Sequence, residues 1–159
     1  MKICLTRLTL PAFLTRHARR VAAIGAMLAM LCMAIPAGAA PFTAADERNV
    51  RAVVQAQLAA FAKDDADKAF SFAAPNVRKA VGSAQAFMAM VRRDYPVVYR
   101  PASVAFLKSD GKDDQVIQRV QMADTSGTSW LAVYSLERQR NKAWRITGCV
   151  VVENKGRMA

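Results

Sequence analysis

Two patterns of apolar and polar residues divide the chain beyond residue 40. From Thr43 the apolar residues recur every three or four positions, the spacing that places them on one face of a helix. Thr43 can accept a hydrogen bond from the first helical turn, and Asp46 stands three residues on, as in a capping box. The pattern predicts an amphipathic helix from Thr43, with its apolar face at Val50, Val53, Val54, Leu58 and Phe61.

Two further helices are predicted before the pattern changes. The polar residues 63–65 end the first helix, and Asp65 can cap a shorter one that stops before Pro75. Ser83 can cap a third helix, which ends before Pro96. The apolar residues of these two helices are Ala69, Phe70, Phe72, Phe87, Met90 and Val91.

After Pro101 the apolar residues alternate with polar ones, which is the period of a strand with one buried face. Four strands are predicted, with apolar positions at Val104, Phe106, Val116, Val120, Met122, Trp130, Ala132, Tyr134, Leu136, Trp144, Ile146, Val150 and Val152. Short polar connections favour antiparallel hairpins, and three such pairs are present: Asp110-Gly111, Ser126-Gly127 and Asn141-Lys142. The predicted fold class is α+β, with N-terminal helices packed on one face of a four-stranded antiparallel sheet.

The two faces of this sheet carry different side chains. If Trp130, Tyr134, Trp144 and Ile146 face the helices, alternation sends Leu131, Val133, Cys149 and Val151 outward, together with Arg119, Ser135 and Arg145. A half-apolar outer face is compatible with a homodimer. It is equally compatible with ordinary solvent-facing aliphatic residues, which suit the pleat of a strand.

Residues 1–39 have the layout of a secretory signal peptide. Five basic residues precede an apolar run from Val21 to Ile35, and the small residues 37–39 follow Pro36. This run is shorter than the roughly 20 residues that cross a bilayer core. The sequence predicts cleavage near Ala39/Ala40, a periplasmic or secreted single domain over residues 40–159, and no membrane anchor after cleavage. Arg19-Arg20 leaves twin-arginine export open beside general secretion.

Cleavage would remove the histidine His17 and two of the three cysteines, Cys4 and Cys32. Histidine is the usual general base near neutral pH and the commonest metal ligand, so the remaining residues could not build a Ser-His-Asp or Cys-His site, or a zinc site of histidines or several cysteines. The formal charge would fall from +11 to +6, since 18 basic and 12 acidic residues remain. No cofactor, metal or nucleic-acid partner is predicted.

Short segments spread over nearly the whole predicted mature chain form a further pattern: 57–61 (QLAAF), Ala69-Phe70, Gly82-Ser83, Phe87, Val91, Tyr95-Pro96, Tyr99-Arg100-Pro101, 130–134 (WLAVY) and 144–149 (WRITGC). Together they resemble the bacterial domain-of-unknown-function family numbered 4864. The resemblance implies a cystatin-like or nuclear-transport-factor-two-like cone, in which a curved sheet wraps around helices and can enclose a pocket. It implies no assigned activity.

The crossing from helices to sheet, where such a cone would open, carries candidate ligand-binding residues. In one interpretation Tyr95, Tyr99 and Tyr134 line a small-molecule site, and Arg100 pairs with an anionic group. In the structural alternative these tyrosines pack their rings and hydrogen-bond the backbone.

A second interpretation makes the protein an enzyme. An isomerase- or lyase-like reaction would use Asp94, or Asp64, as a base in an apolar pocket. The hydroxyl of Tyr95, Tyr99 or Tyr134 would stabilise the developing oxyanion. No residue spacing singles out such a pair. Cys149 could form an intermolecular disulfide, but it also fits a buried, inert position between Gly148 and Val150.

These patterns favour non-catalytic binding of a small ligand or of an envelope protein, and the isomerase- or lyase-like enzyme is the alternative. The homodimer remains a further possibility, with Leu131, Val133 and Val151 at its seam.

Overall fold

The computed structural model describes residues 41–155, which lie in the unit formed by Ala37–Ala159. The predicted leader, residues 1–39, lies outside these residues and stays a prediction. Within the described range the helices come first: α1 (Ala44–Ala62), α2 (Ala66–Ser71), α3 (Pro75–Val81), α4 (Ala84–Asp94) and α5 (Pro96–Tyr99). The strands follow: β1 (Ser103–Phe106), β2 (Asp110–Lys112), β3 (Gln115–Ala123), β4 (Ser129–Arg138) and β5 (Trp144–Glu153). The α+β class is confirmed, since the helices share one core with an antiparallel sheet.

Side-chain caps begin three helices at the residues that the sequence predicts. In α1 the Thr43 hydroxyl accepts a hydrogen bond from the Asp46 N–H at 3.2 Å, and the Asp46 carboxylate accepts one from the Thr43 N–H at 3.0 Å. Asp65 caps α2 and Ser83 caps α4, each accepting from the N–H three residues on. These bonds satisfy N–H groups that the start of a helix leaves unpaired.

Helices α3 and α5 are not predicted by the apolar pattern. Pro75 follows the end of α2 and Pro96 follows the end of α4, as expected, but each proline also begins the next helix. Proline suits the first position of a helix because its φ is already fixed near the helical value. Both helices are short, seven and four residues, so they offer too few positions for a 3.6-residue period to show.

The sheet has the order β1-β3-β4-β5, and β2 also pairs with β3. All pairings between these strands are antiparallel. Strands β1 and β2 lie along the same edge of β3, one after the other. The sheet therefore has five strands where four were predicted, because its first edge is formed by two short pieces of chain.

Gly111 was expected in a turn, and it lies in β2 instead. The Phe42 ring packs so closely on it that a Cβ added at Gly111 would stand 2.4 Å from the ring. This glycine marks a close approach between chain segments rather than a change of direction. The turn into β3 falls later, where Asp113 adopts a positive φ of 55°. The two other predicted connections are confirmed, with positive φ at Gly127 and Lys142.

A β-bulge in β5 changes which side chains face the helices. Ser135 pairs with Gly148, while its neighbour Leu136 pairs with Ile146, so β5 holds one extra residue, Thr147, at this point. Side chains alternate between the faces of a strand, and one inserted residue reverses the alternation beyond it.

Cys149 and Val151 therefore lie on the helix-facing side of the sheet, and their predicted outward positions are wrong. They pair across the strands with Tyr134 and Ala132, which are both buried, and both pack against the core. Alternation counted from Trp144 fails here because the inserted residue depends on the pairing with β4, which the sequence of β5 does not reveal.

The outer face carries Val150 and Val152 instead, which are 61% and 48% exposed. They pair with Val133 and Leu131 of β4, and these four residues form an apolar patch on the side of the sheet away from the helices. The seam of the predicted homodimer thus contains Val150 and Val152 in place of Val151. The homodimer itself stays a prediction.

The core lies between the helices and the inner face of the sheet. Its largest fully buried side chains are Tyr134, Phe61, Met122, Leu136 and Gln118. Phe61 of α1 and Phe70 of α2 both pack against Phe87 of α4, with ring centroids 5.9 and 5.4 Å apart. Among residues 41–155 no helix combines the length and hydropathy needed to cross a membrane.

Candidate functional site

A cavity of about 240 Å³ lies between the helices and the inner face of the sheet. Helices α1 and α4 form one wall, and β4 and β5 form the opposite wall. Val77 of α3 and Tyr95, between α4 and α5, lie at its partly exposed rim. The lining residues are Gln57, Phe61, Ala73, Val77, Phe87, Met90, Val91, Tyr95, Val98, Tyr134, Ile146, Gly148 and Cys149. No acidic or basic side chain is among them, so within residues 41–155 the cavity lining offers no charge to a ligand.

Tyr134 lines this cavity and carries a buried hydroxyl. Its inward position on β4 leaves it 1% exposed, and among the described residues its hydroxyl has no hydrogen-bond partner of good geometry. Burial, and then the neighbouring Cys149, raise the pKa of Tyr134 well above its usual value. The phenol therefore stays protonated and remains a hydrogen-bond donor. A buried donor without a partner costs roughly 1–3 kcal/mol, which a ligand that accepts the bond could offset.

Cys149 lies beside Tyr134 because the bulge turns it toward the helices. Burial raises the pKa of its thiol to about 12, while the neighbouring Tyr134 hydroxyl acts in the opposite direction. The reactive form of cysteine is the thiolate, and the thiol itself is a poor nucleophile. At neutral pH Cys149 therefore acts as a small, neutral lining residue. This agrees with the structural interpretation of the cysteine.

Gln57 is the polar lining residue that was not singled out as a candidate. It lies on the buried face of α1, and its side-chain Nε2 donates a hydrogen bond to the Ala69 carbonyl at 3.2 Å. This bond fixes the orientation of the amide, because Oε1 could not donate to a carbonyl. A signal was present in the sequence: Gln57 is polar at a position where the helical period requires an apolar residue, between Val54 and Leu58.

Tyr95 and Tyr134 are the two predicted ligand-binding residues that the structure brings to the cavity. Tyr95 occupies the junction between α4 and α5, where its N–H donates to the Val91 carbonyl at 2.9 Å. Its half-buried side chain lies at the mouth of the cavity. Of the two helix-end tyrosines predicted to lie at this opening, Tyr95 lines the cavity and Tyr99 does not.

Tyr99 and Arg100 lie elsewhere, in an exposed cluster around Asp64. The Asp64 carboxylate accepts hydrogen bonds from the Tyr99 hydroxyl, from Arg92 at 2.7 Å and from Arg100 at 2.9 Å. Both guanidinium groups also lie about 5 Å from the centroid of the Tyr99 ring. The bond from Tyr99 and the pairing with Arg92 lower the pKa of Asp64. This cluster ties the loop after α1 to α4 and α5.

Asp94 is not among the residues that line the cavity either. Its two carboxylate oxygens accept from Arg93 Nε and Nη2, both at 2.7 Å, and this contact lowers the pKa of Asp94. Neither Asp94 nor Asp64 lines the cavity. Asp64 meets Tyr99 only in the exposed cluster. Asp94 shares with Tyr95 a separate groove rather than the apolar cavity that an isomerase- or lyase-like mechanism needs.

A wider groove of about 870 Å³ crosses the turn between β2 and β3. Asp110, Asp113, Asp114 and Glu137 are among its lining residues. Across residues 41–155, however, no three acidic, histidine or cysteine side chains come together as metal ligands. The smaller cavity remains the candidate site, because it combines apolar walls with a few inward polar groups.

Comparison with known proteins gives a family and several similar folds. The model of a family described as a domain of unknown function, DUF4864, matches residues 43–159. No curated protein matches the chain at a significant level.

Two similar solved structures are described as NTF-2 like proteins of unknown function. The one from Silicibacter pomeroyi DSS-3 is 17% identical, with a TM-score of 0.47, and the match covers 67% of this chain and 93% of that one. The one from Burkholderia xenovorans LB400 is 18% identical, with a TM-score of 0.46, over 71% of this chain and 88% of that one. A protein from Kribbella flavida DSM 17836 is 19% identical, with a TM-score of 0.42, over 64% and 84%.

Proposed function

This chain belongs to the DUF4864 family, and we propose that it is a binding protein for a small, uncharged, largely apolar molecule held in the cavity beside Tyr134. The observation that carries the proposal is the cavity itself. Apolar side chains from α1, α4 and the sheet surround it, and none of the described residues that line it is ionised. Small-molecule sites are commonly concave and apolar, with a few polar groups that orient the ligand.

The size of the cavity limits the ligand. An apolar cavity of about 150 Å³ in a protein holds benzene. A cavity of about 240 Å³ therefore has room for a molecule of two fused rings, or for an aliphatic chain of similar volume. A charged ligand is disfavoured, because the free-energy cost of burying an unpaired ion far exceeds what contact with apolar walls contributes.

Filling the cavity from its rim tests this function. In Val77→Phe the added ring is expected to occupy the cavity and to weaken binding of 2-methylnaphthalene by roughly tenfold or more. Ala80→Phe is the matched control, since Ala80 lies on the same helix, is exposed and does not line the cavity. Titration followed by the fluorescence of the ligand measures both variants. Absence of saturable binding to the wild-type protein, or equal binding by Val77→Phe, contradicts the proposed function.

We also propose that the protein works in the periplasm or outside the cell, after removal of residues 1–39. The support is the charged start, the short apolar run and the small residues 37–39. Mass spectrometry of protein from the cell envelope is expected to find Ala40 at the N-terminus. Ala39→Leu, which places a bulky residue at the cleavage site, is expected to leave the longer form. Envelope protein that retains Met1 contradicts the proposal.

A further inference from the structure

We infer that the cavity selects ligands that carry an uncharged hydroxyl group, which accepts a hydrogen bond from Tyr134 and donates one to Gln57. This inference rests on the proposed function and adds the chemical class of the ligand. It follows from two polar atoms on residues that line the same apolar cavity, for neither of which the described residues provide a well-oriented hydrogen bond.

The first atom is the Tyr134 hydroxyl oxygen. It is fully buried on a residue that is 1% exposed, the Cys149 thiol is its polar neighbour, and no described residue forms a well-oriented hydrogen bond with it. A thiol is a weak acceptor. The Tyr134 O–H can therefore donate to a ligand oxygen without breaking a strong hydrogen bond inside the protein.

The second atom is Oε1 of Gln57. The Nε2 group of the same amide is held by the Ala69 carbonyl, which leaves Oε1 as an acceptor. No hydrogen bond to Oε1 is made by the described residues, and Gln57 is 3% exposed, so bulk water does not compete freely for this position. The residues that line the cavity thus carry one donor and one acceptor that are not used within the described chain, both on neutral side chains.

A hydroxyl group matches this pair better than other small polar groups. It accepts and donates with one oxygen, and it carries no charge into an apolar site. A carboxylate could accept from Tyr134, but it would face the Gln57 oxygen and would bury a charge without a cation. A hydrocarbon would leave both Tyr134 and Gln57 unsatisfied.

Three ligands of the same ring system separate these possibilities. The probes are 2-naphthol, 2-methylnaphthalene, in which a methyl group replaces the hydroxyl, and 2-naphthoate, all measured at pH 7. Wild-type protein is expected to bind 2-naphthol roughly tenfold more tightly than 2-methylnaphthalene, the effect of about one net hydrogen bond. Binding of 2-naphthoate is expected to be weaker than that of 2-naphthol by roughly a hundredfold.

Tyr134→Phe removes the donor and keeps the ring. Its affinity for 2-naphthol is expected to fall roughly tenfold, while its affinity for 2-methylnaphthalene stays within about twofold of wild type. The melting temperature of the variant without ligand is expected not to fall, because the deleted hydroxyl has no protein partner of good geometry.

The outcomes distinguish this inference from the proposed function. Equal affinity of the wild-type protein for 2-naphthol and 2-methylnaphthalene overturns the hydroxyl selectivity and leaves the proposed function intact. Preference for 2-naphthoate overturns the hydroxyl selectivity and also contradicts the uncharged ligand of the proposed function. Failure of all three probes to bind the wild-type protein overturns both. If Tyr134→Phe does not fold, the comparison of the two neutral probes on the wild-type protein still decides.

Discussion

Replacing Asp46 with alanine is expected to lower the free energy of unfolding by about 3 kcal/mol. The Asp46 carboxylate, only 12% exposed, accepts hydrogen bonds from the Thr43 N–H and hydroxyl at 3.0 and 2.7 Å. It also accepts from Trp144 Nε1 at 3.3 Å and from Arg138 Nη1 at 3.2 Å. One side chain thus completes the cap of α1 and joins this helix to the ends of β4 and β5, so its loss affects both.

Asp46→Asn is the matched control for the charge. It keeps the size and one acceptor oxygen, so it is expected to lose less stability than the alanine variant. Urea unfolding with an unchanged m-value measures both losses. A loss below about 1 kcal/mol for Asp46→Ala would show that these contacts contribute little to folding.

The same carboxylate predicts a pH dependence. The Thr43 hydrogen bond is the largest influence on the pKa of Asp46, and together with the contacts to Trp144 and Arg138 it outweighs burial, so the pKa in the folded protein lies below its ordinary value. The unfolded chain therefore binds a proton first as pH falls. The stability that Asp46 contributes is fully present above about pH 4 and is lost as pH falls through the folded-state pKa. The difference in stability between wild type and Asp46→Asn is expected to shrink over that acidic range.

Replacing Phe61 with alanine is expected to lower the free energy of unfolding by about 3–5 kcal/mol. Phe61 is 1% exposed, packs against Phe87 and forms part of the cavity wall. Truncation removes a large apolar side chain from the core and enlarges the cavity that Phe61 lines. Native domains are stable by only about 5–15 kcal/mol, so this loss is a large share of the total.

Leu107→Ala provides the control for Phe61→Ala. Leu107 is 43% exposed and lies outside the cavity, so its truncation is expected to cost less than about 1 kcal/mol. Urea or thermal unfolding of both variants measures the difference. Equal losses for the two variants would mean that Phe61 is not packed as described.

The helix starts could be predicted from the sequence because each cap and its partner lie three residues apart. Thr43, Asp65 and Ser83 each accept from a backbone N–H within the first turn of the helix that follows. Such bonds depend on local geometry alone. The order of helices followed by antiparallel strands was also predictable, since the apolar period changes once, after Pro101.

Two of the four predicted ligand-binding residues lie in the candidate site. Tyr134 and Tyr95 line the cavity, as the sequence suggested, but Tyr99 and Arg100 bind Asp64, which lies 35 and 36 residues away along the chain. Such long-range contacts cannot be recognised from the local spacing of residues. Gln57 could have been found from its polar side chain within an apolar helical stripe.

The sequence by itself determined the fold class, the helix caps, the inward position of Tyr134 and the family to which the chain belongs. These follow from the spacing of apolar residues, from hydrogen bonds within a single helical turn and from short residue patterns. None of them depends on how distant segments pair. Only the tertiary structure decided that Cys149 joins Tyr134 in the cavity and that Val150 faces outward. The reason is physical: a single residue inserted opposite β4 exchanges the two faces of β5, and strand pairing between distant segments, rather than the composition of either, selects the residue that is inserted.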